Sequence, residues 1–107
     1  MSENVLVRAC AVAELPESGT LGVELNGIAL VIVRSGDEVF ALDELCTHEE
    51  VSLVDGEIYD HTLECWLHGS CFDVRSGKPT GPPATIALGT YPVTIDGDDV
   101  LVALPAR

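Results

Sequence analysis

The chain has few basic residues. Its 107 residues include five lysines and arginines against eighteen aspartates and glutamates, which gives a formal net charge of −13. So much negative charge repels phosphate backbones and anionic lipid, and we therefore expect no binding to nucleic acid or to a membrane surface. The sequence also lacks an apolar run long enough to cross a bilayer. Residues 1–6 contain neither the basic region nor the long apolar core of a secretory signal, so we expect a cytoplasmic protein.

A sustained helical stripe is also missing, because no window repeats apolar residues at helical spacing over three turns. The dipeptides Asn26-Gly27 and Gly36-Asp37 are typical of hairpin turns. The sequence therefore predicts an all-β fold, an antiparallel β sandwich or partly open barrel. Its expected strands are the short β-branched or alternating runs at residues 5–10, 21–25, 28–34, 38–42, 91–96 and 100–104.

The cysteines and histidines do not follow the usual zinc pattern, in which like residues form closely spaced pairs. Each of two short segments carries one residue of each kind, Cys46-x-His48 and Cys65-x-x-His68, with sixteen residues between His48 and Cys65. Together the segments offer two sulfur and two nitrogen ligands, which favours zinc or an iron–sulfur cluster. A single ion would strain the short Cys46-x-His48 loop. With two irons, each segment can send its cysteine to one iron and its histidine to the other.

This pattern, followed by Gly69-Ser70, resembles the ligand motif of the Rieske [2Fe-2S] family, in which two histidines replace two cysteines on one iron. The resemblance extends over nearly the whole chain. It implies one Rieske-type 2Fe-2S cluster as the cofactor. The ligands that it implies are Cys46, His48, Cys65 and His68.

The length of the chain suits a single domain over residues 1–107, with one hydrophobic core. Within it we expect an inserted cluster-binding subdomain at about residues 43–83, which holds both segments and three short strands. Gly69 suits a tight turn directly after a ligand. Residues 81–83, Gly-Pro-Pro, resemble the proline loop that covers the cluster in this family.

The sequence departs from the high-potential members of the family. The Rieske proteins of cytochrome bc complexes carry two further cysteines, which form a disulfide, where this chain has Val51 and Leu67. They also commonly carry a serine and a tyrosine that donate hydrogen bonds to sulfur. Ser70 matches the serine, but Phe72 replaces the tyrosine. Because such bonds stabilise the reduced state, we predict a potential near the lower end of the range of about −150 to +300 mV.

The pattern is more similar to the small soluble Rieske ferredoxins of bacterial ring-hydroxylating dioxygenases. That resemblance implies a monomeric one-electron carrier, not an enzyme, between a flavin-dependent reductase and a terminal oxygenase. The cluster could instead serve another partner, such as iron–sulfur cluster assembly. Two alternatives of other classes are a structural zinc-binding module and an enzyme with Cys46 or Cys65 as nucleophile beside a histidine. The enzyme would leave two of the four matched residues without a role.

Five further residues carry predictions. Cys10 and Cys71 lie at the ends of apolar runs and are expected to be buried thiols. His61 lies in a polar stretch and is expected to be a solvated loop residue. Glu49 and Glu50 follow the first histidine of the motif directly. They form either an acidic rim that orients a basic partner or an ordinary solvated loop.

Overall fold

The computed structural model describes residues 4–16, 18–46, 51–59, 61–65, 69–81 and 85–105. Two short 3-10 turns occur in these ranges, at Val12–Glu14 and Leu53–Asp55. No helical segment there has the length and apolar character needed to span a bilayer. The strands are β1 (Asn4–Ala11), β2 (Ser18–Leu25), β3 (Ile28–Ser35), β4 (Glu38–Asp43), β5 (Glu57–Tyr59), β6 (Thr62–Glu64), β7 (Cys71–Asp73), β8 (Thr90–Tyr91), β9 (Val93–Asp96) and β10 (Asp99–Pro105).

The strands form three antiparallel sheets. The first has the order β1-β10-β9, the second β2-β3-β4-β8, and the third β5-β6-β7. The third sheet is built from strands that lie within residues 43–83, between β4 and β8 along the chain. The prediction of an all-β antiparallel fold with a small inserted sheet is confirmed.

Tight turns set the register of the second sheet. Asn26 and Gly27 both have positive φ, 52° and 83°, and Leu25 pairs directly with Ile28 on either side of them. Asn-Gly is favoured there because a two-residue hairpin turn of this kind needs positive φ at both central positions. Gly36, with φ 65°, closes the hairpin between β3 and β4. The turn dipeptides thus place these three strands where the sequence predicted them.

The predicted strand over residues 91–96 is wrong as a single element. Tyr91 pairs with Ala41 in the second sheet, whereas Val93 begins the pairing of β9 with β10 in the first. Pro92 lies between the two and has no N–H to donate to a ladder. Its carbonyl accepts a hydrogen bond from Ala103 N at 2.9 Å. The chain therefore passes from one sheet to the other at the proline.

Strand β3 is buried on both faces. Because alternate residues of a strand point to opposite faces, Leu30 and Ile32 pack against the first sheet, while Val31 and Val33 pack toward the third. The cluster shared with the first sheet comprises Cys10, Leu15, Leu30, Ile32, Ala41, Val100, Val102 and Leu104, which confirms the burial of Cys10. The other, called the site cluster below, comprises Val31, Val33, Leu42, Cys46, Leu53, Leu63, Cys65, Phe72, Val74 and Leu88.

Polar contacts also fix the third sheet and its flanking turn to the second sheet. Thr20 Oγ1 on β2 donates to Val54 O at 2.5 Å. His61 Nε2 lies 2.6 Å from Glu38 Oε1 on β4, and its ring meets Phe40 edge-on with centroids 6.0 Å apart. His61, predicted to be a solvated loop residue, does lie in a turn, with φ 70°. Its side chain, however, is mostly buried and is joined to β4, because the turn folds back onto the larger sheet.

Candidate metal centre

The first loop of the candidate site, residues 46–51, leaves the end of β4 and is closed by backbone pairing. Leu45 and Ser52 form an antiparallel bridge at its base. Cys46 N then donates a hydrogen bond to Val51 O at 2.9 Å. These contacts hold Cys46 at the point where the pairing ends and the loop begins.

The second loop, residues 65–70, follows β6 and turns back through Gly69. Cys65 N donates to Ser70 O at 2.7 Å, and Gly69 N donates to Cys65 O at 3.1 Å. Gly69 has a φ of 74°, which residues with side chains rarely adopt. The tight turn predicted at this glycine is therefore present, and it returns the chain to β7 directly after Ser70.

The structure brings the two cysteines into one apolar environment. Cys46 and Cys65 are 2% and 1% exposed and belong to the same site cluster, although they lie on different loops. Leu53, Leu63 and Phe72 of that cluster are fully buried. The two cysteine side chains are thus buried in a common apolar core, and burial of this kind influences the potential of a bound redox metal.

Ser70 gives a direct test of whether an iron–sulfur group fits. Its side chain is 0% exposed, and its Oγ finds no hydrogen-bond partner among the described residues. A buried hydroxyl without a partner costs about 1–3 kcal/mol, so an acceptor is expected beside it. Ser70 pairs with Cys65 through the backbone, which places it in a ligand loop. A thiolate or sulfide sulfur is an acceptor that this site would supply, and the residues therefore fit a 2Fe-2S cluster.

Phe72 lies in β7, two residues after Ser70. Its side chain is fully buried in the site cluster, and it forms an isolated bridge with Pro79. A phenyl ring has no hydroxyl to donate. The position where high-potential relatives would carry a tyrosine therefore contributes packing and no hydrogen bond.

Carboxylates surround the second loop. Glu57 and Glu64 lie directly opposite each other on β5 and β6, and with Asp55 and Cys65 they line a cleft of about 210 Å³. Like charges opposite each other in a sheet are destabilising. Tyr59 OH donates a hydrogen bond to Glu57, and this bond is the main cause that raises the pKa of Tyr59 to about 12. The cleft beside Cys65 is thus strongly negative.

Cys71 is half-buried, less than the full burial predicted for it. Its Sγ donates to Gly69 O at 3.4 Å. Burial raises the pKa of the Cys71 thiol, and the nearby Glu64 carboxylate raises it further. Both effects favour the protonated thiol.

Asp43 is a residue whose role the sequence did not indicate. It ends β4, three residues before Cys46, and its carboxylate accepts hydrogen bonds from Tyr91 OH at 2.6 Å and Gly89 N at 3.1 Å. Asp43 N also donates to Gly89 O at 2.9 Å. Burial and this carboxylate together raise the pKa of Tyr91 to about 12. An acidic residue at a strand end commonly faces solvent, so no local signal could have identified this connection to the segment that follows residues 82–84.

Several predicted features lie outside the described residues. They are the ligands His48 and His68, the acidic pair Glu49 and Glu50, and the two prolines of the 81–83 segment. The description of the site therefore rests on Cys46, Cys65, Ser70 and their contacts.

Fold and site define a class of protein: a small antiparallel β protein with an inserted three-stranded sheet and two buried cysteines, on different loops, that share one apolar core. The family model of the Rieske [2Fe-2S] domain matches residues 5–92, and the chain belongs to this family. The resemblance seen in the ligand motif is confirmed.

Relatives from bacterial dioxygenase systems match over most of their length. The ferredoxin component of the naphthalene 1,2-dioxygenase system of Pseudomonas aeruginosa is 38% identical over 98 residues, 92% of this chain and 94% of the relative. The ferredoxin of carbazole 1,9a-dioxygenase from Nocardioides aromaticivorans IC177 superposes with a TM-score of 0.87 at 34% identity, covering 92% and 96% of the two chains. A complex of reduced oxygenase and oxidised ferredoxin in carbazole 1,9a-dioxygenase also matches, with a TM-score of 0.87 at 31% identity, covering 92% of this chain and 93% of that one.

These relationships establish the cofactor and the kind of activity. The cofactor is a Rieske-type 2Fe-2S cluster, and the chain is an electron-transfer protein, not a catalytic subunit. Both predictions are confirmed. The zinc module and the cysteine–histidine enzyme are thereby excluded as the principal function.

Proposed function

We propose that this chain is the ferredoxin of a ring-hydroxylating dioxygenase system, which carries single electrons from a flavin-dependent reductase to a terminal oxygenase. The observation that carries the proposal is the site itself: two buried cysteines, on different loops, in one apolar core, with the hydroxyl of Ser70 unpartnered among the described residues. The oxygenase as acceptor is supported by the relative that forms a complex of oxygenase and ferredoxin. The reductase as donor is supported by the resemblance of the sequence alone.

We propose four ligands, with Cys46 and Cys65 on one iron and His48 and His68 on the other. When bound, the 2Fe-2S cluster takes up and releases one electron. The two cysteine thiolates balance the positive charge of the oxidised iron–sulfide core, and neutral imidazoles add none. Electron uptake is therefore easier than with four thiolates, which would leave the oxidised centre negative.

The remaining residues of the site set the conditions for that transfer. The backbone pairs Cys46 N to Val51 O and Cys65 N to Ser70 O fix the two thiolates in place. The apolar site cluster buries the side chains of both cysteines. Ser70 Oγ donates a hydrogen bond to sulfur, which stabilises the reduced state, and Phe72 donates none. This balance supports a potential in the lower part of the Rieske range.

We further propose that the protein works as a monomer in the cytoplasm. Two of the four cysteines are proposed ligands, and neither Cys10 nor Cys71 forms a disulfide in the structure, which accords with a reducing compartment. The net charge of −13 opposes association of one copy with another.

The test is a purified sample reconstituted with iron and sulfide without oxygen. We expect equal amounts of iron and acid-labile sulfide, a Rieske-type electron paramagnetic resonance spectrum after reduction, and electron delivery from an NADH-driven flavin reductase to a terminal oxygenase. Replacement of His48 or His68 by Ala should abolish that spectrum, whereas the matched variant His61→Ala should retain it. A colourless, zinc-containing protein, or an unchanged spectrum in both ligand variants, would refute the assignment.

A further inference from the structure

A large apolar side chain is exposed next to the first loop. Leu45 is 47% exposed, whereas Cys46, the next residue, is 2% exposed. Leu45 lines an open groove of about 430 Å³. The turn between β2 and β3 and the start of β3 form one wall, and the end of β4 with the two residues before the first loop forms the other. The lining residues are Gly27, Ile28, Ala29, Asp43, Glu44 and Leu45.

The groove is apolar with an acidic edge. Gly27, Ile28, Ala29 and Leu45 supply the apolar surface. Glu44 supplies a carboxylate, which accepts a hydrogen bond from Ser52 Oγ at 2.6 Å. Backbone pairing holds the walls together, because Glu44 N donates to Ala29 O at 3.2 Å. The groove is therefore a fixed feature of the fold.

The charge around this part of the chain has one sign. Residues 35–74 contain eleven of the eighteen acidic residues and no lysine or arginine. That segment includes both loops of the metal centre and one wall of the groove. A chain of this charge attracts a basic protein face and repels an acidic one.

We propose that this groove seats an apolar side chain on a basic face of the electron-accepting partner. The inference rests on the proposed function and adds the docking surface to it. A second copy of this chain is disfavoured as the occupant because both copies would carry the same large negative charge. A partner seated here would contact the loop that contains Cys46, so docking would place it beside the metal centre.

The negative charge and the apolar groove have different effects on the complex. Opposite charges accelerate the encounter, whereas buried apolar contact lengthens the life of the complex. Redox partners use small interfaces, so one well-placed side chain accounts for a large share of the affinity. Removal of the Leu45 side chain should therefore weaken the complex without changing its dependence on salt.

The experiment measures electron transfer from the reduced holoprotein to the terminal oxygenase of carbazole 1,9a-dioxygenase from Nocardioides aromaticivorans IC177, which is the probe. The rate is followed by stopped flow as the oxygenase concentration is raised. For Leu45→Ser we expect the half-saturating concentration to rise roughly fivefold, with the limiting rate and the midpoint potential unchanged. Ala29→Phe, which fills the groove and keeps Leu45, should have a similar effect. Ile95→Ser is the matched control, because Ile95 is also 47% exposed but lies on β9.

The outcomes separate this inference from the proposed function. If the unaltered protein reduces the oxygenase but either groove variant behaves like Ile95→Ser, the docking surface is wrong and the electron carrier stands. If the unaltered protein transfers no electron, the proposed acceptor fails and the docking surface fails with it. Sedimentation of the unaltered protein as a dimer that Leu45→Ser dissociates would assign the groove to a second copy and overturn the inference.

Discussion

Replacement of Ser70 by alanine tests whether its buried hydroxyl serves the cluster or the fold. The Oγ atom is fully buried and has no partner among the described residues. In the protein without cluster, this hydroxyl is therefore a cost to stability. In the protein with cluster, we propose that sulfur is its acceptor. The same substitution should consequently have opposite effects in the two states.

The size of the expected shift in midpoint potential follows from the strength of hydrogen bonds to neutral and to charged acceptors. A bond to a neutral group contributes about 0.5–1.5 kcal/mol and one to a charged group about 1.5–3 kcal/mol. Reduction adds negative charge to sulfur, so the Ser70 bond should favour the reduced state by about 1 kcal/mol, or roughly 40 mV for one electron. Ser70→Ala should lower the midpoint potential by that amount. Without cluster, the variant should be as stable as the unaltered protein, or more stable by about 1 kcal/mol.

Ser52 provides the matched control because its hydroxyl is already satisfied by the protein. It donates to Glu44 Oε2 at 2.6 Å and accepts from Val54 N at 3.1 Å, which caps the 3-10 turn after the first loop. Ser52→Ala should therefore lower the free energy of unfolding by about 1 kcal/mol without cluster and leave the potential nearly unchanged. The assays are spectroscopic redox titration of the holoprotein and urea denaturation of the apoprotein. An unchanged or raised potential in Ser70→Ala, or a large loss of apoprotein stability, would refute the assigned role of this hydroxyl.

Three further predictions concern the core and the second sheet. Phe72→Tyr supplies a hydroxyl in a fully buried position and should raise the midpoint potential by roughly 40 mV in the same titration; an unchanged potential would show that the new hydroxyl does not reach sulfur. Burial and Asp43 raise the pKa of Tyr91 from 10.0 to about 12. The protonated tyrosine therefore stabilises the fold fully below about pH 10, and this stabilisation is lost as the pH rises toward 12. Urea denaturation should therefore show a shallower decline of stability over this interval for Tyr91→Phe, and equal slopes would contradict the assignment. A Cβ at Gly22 would lie 2.8 Å from Val54 Cγ2, so Gly22→Ala should cost about 1–2 kcal/mol of stability. The double variant Gly22→Ala/Val54→Ala should lose less stability than the sum of the losses of the two single variants. Strict additivity of the two losses would argue against the contact.

The sequence predicted the features that depend on the local pattern of residues. Alternating apolar residues and the Asn26-Gly27 turn predicted β2 and β3, because strand periodicity and positive φ are properties of neighbouring residues. The spacing of the cysteines and histidines favoured two irons over one zinc, and its resemblance to the Rieske ligand motif implied the cofactor. The break at Pro92 was missed because the apolar alternation continues through the proline, although the pairing partners change there.

The features that the sequence did not predict depend on long-range packing. Nothing in the sequence near Asp43 indicates that its carboxylate meets Tyr91 and Gly89, which lie more than forty residues further along the chain. The absence of a partner for Ser70 among the described residues likewise becomes visible only when the neighbours of its side chain are known. His61 looks polar and solvated in sequence, yet the turn that contains it folds onto Glu38.

The burial of β3 on both faces connects the metal centre to the whole fold. Val31 and Val33 belong to the site cluster with Cys46 and Cys65, while Leu30 and Ile32 on the same strand belong to the cluster shared with the first sheet. A boundary at residue 43 or 83 would therefore divide a core to which both the larger sheet and the inserted sheet contribute. Because ligand binding stabilises the state that contains the site, cluster binding should stabilise the first sheet through β3 as well as the two loops. We therefore propose one cooperative domain over residues 1–107, in which the inserted sheet depends on the second sheet for its core.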